Sequence, residues 1–294
     1  MTKFESFLIN RGIYYNCAIQ YNRTVEKFLN WLKLKGLTPG RLKRSQFTDY
    51  LQQLRLEGNK EGTIRSKEGA IRQYYYFIKA KHNPAINWIQ PKRETTLPPK
   101  ALEKDELQRI YEELKPNSPA DYRNRCMLGL VLFQGFLRSE LQELRVGDVD
   151  LEKGVVFVQG QRKTNSRKLK LEPIQLLHLY DYLHKYRRDF VACKKEVTDN
   201  FFLSKGVGKY LNNAVCNIIN EFKIKYPQIV NLRHIRGSVI TNWEKEQGII
   251  EAMTKAGHRY ICSTQRYQTG KYEELQDLLK TKHPMESLDL SGQQ

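Results

Sequence analysis

The stretch Ala256-Gly-His-Arg-Tyr-Ile-Cys-Ser-Thr-Gln-Arg-Tyr267 sets a glycine-preceded histidine, His258, nine residues before Tyr267, a tyrosine flanked by Thr264, Gln265 and Arg266. Such a layout can bring a phosphate-contacting histidine and a nucleophilic phenol into one site. Without Tyr267 at that offset, His258 alone would read as an ordinary surface or core histidine. The rest of the chain has what a reactive tyrosine needs, with arginines and a lysine where a nucleic acid phosphate would have to be held.

Working outward, the charge points the same way. Fifty Lys and Arg against 32 Asp and Glu give a formal charge of +18, and a field of that sign gathers polyanions by releasing their counterions. Residues 1 to 99 carry +11 of it and residues 100 to 294 the remaining +7, so the N-terminal third reads as the stronger electrostatic clamp on DNA or RNA. The longest apolar run, Met127 to Phe133, is too short to span a bilayer. With no signal pattern at the N-terminus, a cytoplasmic protein with no membrane partner is expected. The five cysteines are scattered and lack metal-ligand spacing, and the chain has no phosphate-binding Gly-Lys-Ser/Thr loop. No metal or cofactor is expected.

Periodicity divides the 294 residues into two domains. Val25, Phe28, Leu29 and Leu32, and again Ile64, Ile71, Tyr75 and Ile78, recur at helical spacing with Lys and Arg on the opposite faces. Asn83-Pro84 closes the second stripe, and the three prolines of Gln90 to Pro99 read as a linker. The boundaries predicted are a helical domain over 1–92, a linker over 93–99 and a second domain over 100–294. In the latter, Leu107, Ile110, Tyr111 and Leu114 open a new helical pattern, and Cys126 to Phe136 reads as a buried helix. Val155 to Val158 and Arg167 to Leu171 read as a β-hairpin with Lys163 near its tip. A lysine there is either a solvated turn residue or an ammonium carried beside a phosphate. The fold class predicted is mainly α with a small antiparallel sheet.

An arginine after an apolar helix, a hairpin lysine, an arginine-rich turn, a Gly-His and a tyrosine nine residues later together resemble the tyrosine recombinase (phage integrase) family over nearly the whole chain. The segments Gln161 to Pro173 and Ser263 to Thr269 are similar to the branch carried on Bacteroidetes chromosomes and mobile elements. The resemblance implies a helical, SAM-like core-binding domain followed by a mixed α/β catalytic domain, the two closing on duplex DNA. It implies that Tyr267 attacks a phosphodiester to leave a 3′-phosphotyrosyl link, which stores the bond energy so that neither ATP nor a metal is required. Arg236, in Ile-Arg-Gly-Ser-Val, lies 22 residues before His258 and 31 before Tyr267 and matches the second family arginine. A guanidinium can hold two phosphate oxygens at once. By the same resemblance His258 donates to the phosphate and Lys163 protonates the departing 5′-oxygen.

Two departures stand out. In the family pattern Gly-x-Arg-x-x-Glu-Leu, the run Gly135-Phe-Leu-Arg-Ser-Glu-Leu141 puts Leu137 in the arginine slot and Arg138 one place later, a step of about 100° on a helix. Where the family has histidine three residues before the second arginine stands Arg233, with His234 next. Arginine is a poor proton acceptor, which leaves His234, His258 or water to take the phenolic proton. On the polar side of the second N-terminal stripe, Arg65, Lys67 and Arg72 are candidate phosphate contacts. A short amphipathic helix is predicted over about 272–282. In the family such a tail docks on a neighbouring protomer, so the resemblance implies a monomer in solution that becomes a homotetramer on double-stranded DNA, with accessory DNA-bending proteins as further candidate partners. Two other readings stay open here: an integrase-fold protein that binds DNA without cutting it, and a type IB topoisomerase-like enzyme.

Overall fold

The computed structural model describes residues 1–80, 83–88, 99–161, 164–194, 198–204 and 211–267. The chain divides into two compact units, Met1–Thr95 and Thr96–Gln294. Most of the linker segment 93–99, the hairpin residue Lys163 and the tail helix expected over 272–282 lie outside the described residues.

The first unit is built from α1 (Lys3–Asn10), α2 (Tyr15–Leu34), α3 (Arg44–Leu56) and α4 (Glu61–Phe77). Thr2 opens α1 as a capping box: its hydroxyl accepts from the Glu5 N–H while the Glu5 carboxylate accepts from the Thr2 N–H. The two apolar stripes face each other, with Phe28 and Leu32 of α2 and Ile64, Ile71 and Tyr75 of α4 buried together with Phe47 and Leu51 of α3. Ile78 departs from the expected stripe. Helix α4 ends at Phe77, Lys79 turns to φ 57°, and Ile78 is left exposed, because the chain leaves the helix before that position comes round to the core.

The second unit is organised on α6 (Pro119–Gln134), which is capped by Ser118 accepting from the Asp121 N–H and is buried on nearly every side from Cys126 to Leu132. A helix apolar all round belongs at the centre of a domain. Around it pack α5 (Lys104–Glu112), α8 (Pro173–Asp181), α10 (Asn212–Lys225) and α11 (Leu232–Gln247). The expected hairpin is present as β2 (Val155–Val158) and β3 (Arg167–Lys170), antiparallel with Val155 opposite Lys170 and Val158 opposite Arg167. The two-residue β1 (Val149–Asp150) adds a third antiparallel strand that is too short to leave a period in the sequence. The remaining described α-helices are α7 (Arg138–Glu143), α9 (Arg187–Val191), α12 (Ile249–Ala256) and α13 (Cys262–Gln265). Among the described residues, no helix is long and apolar enough to cross a membrane.

Candidate active site

The strand pleat places one group that the sequence reading passed over. In β3, Arg167 and Leu169 share the buried face while Lys168 and Lys170 point outward. Arg167 therefore enters the core as a charge and must be paired there. Its two terminal nitrogens grip Glu140 of α7 as a fork, Nη1 to Oε1 at 2.8 Å and Nη2 to Oε2 at 2.9 Å, with both side chains almost fully enclosed. The same carboxylate lies 3.6 Å from Nη1 of Arg236 and also accepts the Leu137 N–H at 2.8 Å.

Arg236 sits on α11, a helix begun by Asn231, whose side chain accepts the His234 N–H. Its guanidinium donates to the carbonyls of Gly135, the C-cap of α6, and, at 2.6 Å, Ala256, the last residue of α12. Burial lowers its pKa, with Arg167 adding to that effect while Glu140 and Tyr267 oppose it. The guanidinium keeps its charge regardless. Among the described residues no other carboxylate makes an ion pair with Arg167 or Arg236. Two guanidinium groups around one carboxylate leave a net positive charge in a largely enclosed place, which suits an anion.

Helix α12 delivers the histidine. It ends at Gly257, whose φ of +70° is left-handed, and a Cβ there would also lie 2.9 Å from both Arg167 Nη1 and the Asn165 carbonyl. Glycine meets both requirements. His258 follows, bridged through its backbone to Thr164 of the hairpin loop, while the Asn165 N–H donates to the Gly257 carbonyl at 2.8 Å. Its imidazole stacks on the Tyr267 ring at a centroid distance of 6.1 Å and an interplanar angle of 11°. Burial first, then Arg236 and Arg167, depress its pKa to about 4, so His258 is neutral at physiological pH.

Tyr267 is half-buried and its ring lies against the backbone of α11 at Gly237, where a Cβ would come within 3.1 Å of Cε1. Gly237→Ala is expected to raise helix propensity yet slow any chemistry at Tyr267 by about tenfold, since a full ångström of misplacement costs on the order of a hundredfold. Thermal unfolding and a cleavage rate measured on the same sample separate the two effects.

The structure thus brings Tyr267, His258 and Arg236 together and adds Glu140 and Arg167. The other candidates are placed differently. Arg138 is exposed as the first residue of α7, and Leu137 stands before the helix in extended conformation, so the 100° step expected between them does not apply. Arg233 is exposed and, with His234, Gly237 and Tyr267, lines a cavity of about 160 Å³. His234 has both ring nitrogens engaged by the backbone: Nδ1 accepts from the Val230 N–H at 3.3 Å and Nε2 donates to the Lys100 carbonyl at 2.7 Å. It serves to hold residue 100 against α11. On either side of Lys163 the hairpin is pinned, with Gln161 accepting from Ser139 Oγ and donating to Glu143, and Thr164 bridged to His258. In the first unit Lys67 donates to Asn59 Oδ1 at 2.8 Å and Arg72 to the Trp88 carbonyl at 3.1 Å, while Arg65 is half-buried. Among the described residues no cluster of His, Cys, Asp and Glu could hold a metal ion.

Residues 100–274 match the phage integrase family and residues 1–82 the phage integrase N-terminal SAM-like domain. The chain is 25% identical over 295 residues to the tyrosine recombinase XerD of Oceanobacillus iheyensis, covering 96% of each chain. It is 26% identical over 263 residues to the tyrosine recombinase XerC of Pelotomaculum thermopropionicum, covering 85% of this chain and 84% of that protein. In fold it is similar to the Tn1549 transposon integrase solved in complex with transposon right end DNA, at a TM-score of 0.65 with 14% identity over 95% of this chain and 98% of that one. A fold core that places a tyrosine, a histidine and a buried arginine in one site, together with a family match over both of its units, makes this chain a member of the phage integrase family.

Proposed function

We propose that this protein is a site-specific tyrosine recombinase that cuts and rejoins duplex DNA through a 3′-phosphotyrosyl intermediate. The observation that carries the reading is the convergence of the Tyr267 ring, the His258 imidazole and the net-cationic Arg236–Glu140–Arg167 cluster. The Xer relatives are recombinases, which favours this reading over a binding-only protein or a topoisomerase.

The Tyr267 oxygen attacks the scissile phosphorus, the bond from phosphorus to the 5′-oxygen breaks, and the leaving oxygen takes a proton from Lys163. Attack by the 5′-hydroxyl of a partner strand reverses these steps and releases the tyrosine. A phenol with a pKa of about 10 is mostly protonated at neutral pH, so the rate comes from charge stabilisation in the pentacoordinate transition state. Arg236 and His258 supply that stabilisation at the non-bridging oxygens. His234 is occupied by the backbone, and the phenolic proton passes to water. The placement of Lys163 at the leaving oxygen is supported by its neighbour Thr164, which pairs with the His258 backbone.

Arg65, Lys67 and Arg72 are proposed phosphate contacts of the first unit, and duplex DNA is the proposed partner. It is bound by a cytoplasmic monomer that assembles as a tetramer on two sites, in integration, excision or resolution. Covalent capture tests the reading. The protein is incubated with fragmented genomic DNA from its source cell and denatured in SDS, and the attached DNA is sequenced. Adducts at one recurring sequence are expected. Tight, salt-sensitive binding with no adduct would overturn the reading in favour of a binding protein. In the same assay Arg138→Ala is expected to reduce adduct yield at least tenfold if the exposed arginine takes the part of the one missing at Leu137; an unchanged yield would assign that part to the Arg167 and Arg236 pair.

A further inference from the structure

His258 can offer a hydrogen bond to a phosphate only if the proton of its neutral imidazole sits on the nitrogen that faces the site. Nδ1 does not face it. That nitrogen lies 2.8 Å from the Thr264 hydroxyl, and Thr264 is fully enclosed, with 0% of its surface exposed. A buried hydroxyl must place its own proton on an acceptor. Thr24, Thr48 and Thr254 return theirs to the carbonyl four residues back along their helices, the usual outlet for a helical threonine. Thr264 does not, and among the described residues His258 Nδ1 is the one hydrogen-bond partner of its Oγ1.

Only one arrangement satisfies both groups. If Nδ1 carried the proton and donated to Oγ1, the enclosed hydroxyl would be left with no acceptor. If the hydroxyl donates to Nδ1, both are satisfied and the imidazole proton is on Nε2.

We propose that Thr264 is a positioning residue that holds His258 as the neutral Nε2–H tautomer, presenting an N–H donor to the phosphate. The same residue fixes the nucleophile's backbone, because the Thr264 carbonyl accepts the Tyr267 N–H at 2.9 Å. Donor and nucleophile are thus referred to one enclosed residue. The charged groups acting on the imidazole, Arg236 from α11, Arg167 from β3 and, with opposite sign, Glu140 from α7, together with burial disfavour a second proton. The hydroxyl therefore chooses between tautomers rather than between charge states. The proposal rests on the reading of His258 as a phosphate donor, and its test separates the two.

The experiment is long-range nitrogen–proton correlation on the nitrogen-15-labelled full chain at pH 7, with His258 assigned by its absence from His258→Gln. The spectra are paired with cleavage rates on a nicked DNA duplex carrying the captured site. Wild type and Thr264→Ser are expected to show a protonated Nε2 and an accepting Nδ1, with cleavage within about threefold of each other. Thr264→Val, which keeps the shape and loses the hydroxyl, is expected to populate both tautomers and to cleave about tenfold more slowly, the worth of one ordinary hydrogen bond. A protonated Nδ1 in wild type, or an unchanged tautomer in Thr264→Val, overturns the proposal. Should the valine variant not fold, the wild-type and serine spectra decide the tautomer. A tautomer that follows the hydroxyl while cleavage does not respond upholds the role of Thr264 on the imidazole and overturns the place of His258 at the phosphate.

Discussion

Glu140→Gln is expected to destabilise the second unit by about 3 to 5 kcal/mol, the usual effect of removing one partner from a buried ion pair. The change is nearly isosteric, so the loss comes from charge rather than from a cavity. Arg167 and Arg236 are both enclosed, and Glu140 is the one carboxylate that pairs with them among the described residues. Without it, two guanidinium groups repel each other in a place where water cannot screen them. For a unit of this size that loss corresponds to a fall of roughly 10 °C in its unfolding transition. The Arg167 strand, the start of α7 and the Arg236 helix are joined through the same carboxylate, so DNA cleavage should fall with stability. A fall of less than about 3 °C, or about 1 kcal/mol, would show that the three side chains are not packed as described.

Tyr267→Phe separates chemistry from structure. The tyrosine ring packs on Gly237 and His258 and keeps those contacts in the variant. Its phenolic oxygen has no hydrogen-bond partner among the described residues, so stability should change by less than about 0.5 kcal/mol. Binding is driven by Lys and Arg on a chain of +18, so affinity and its salt dependence should be unaltered. The covalent adduct should disappear entirely, since phenylalanine has no oxygen with which to attack phosphorus. Gel shift and SDS-resistant labelling of the same preparation check both halves. An adduct that survives the substitution would remove Tyr267 from the reaction.

The contrast between these two sites shows what could be read in the chain. Tyr267 and His258 were legible from their nine-residue offset in one short run, and Arg236 through the family resemblance, which its spacing of 22 and 31 residues to them fits. The packing of α12 against α11 and of α13 against α12 brings the three together. The apolar stripes of α2 and α4 and the β2–β3 hairpin were legible because period marks the buried face. The Glu140–Arg167 pair was not, since its members lie 27 residues apart and periodicity says which face is buried without saying which buried groups meet. One signal was available: Arg167 is two residues from Leu169 in a strand, so the pleat places both on the same side. His234 stood beside the catalytic candidates in sequence, and only the tertiary fold reveals that Lys100 and Val230 occupy its two nitrogens. The strand β1, at two residues, is below the length at which alternation can be recognised.

The most direct test of the central claim is to find the atom that carries the DNA. After capture on the cleavage site, nuclease and trypsin digestion followed by mass spectrometry locates the residual nucleotide among the 17 tyrosines. The mechanism predicts a 3′-nucleotide phosphate on the peptide from Tyr267 to Lys271, with a free 5′-hydroxyl on the released strand. Attachment to any other residue, or through the 5′-phosphate, would contradict it.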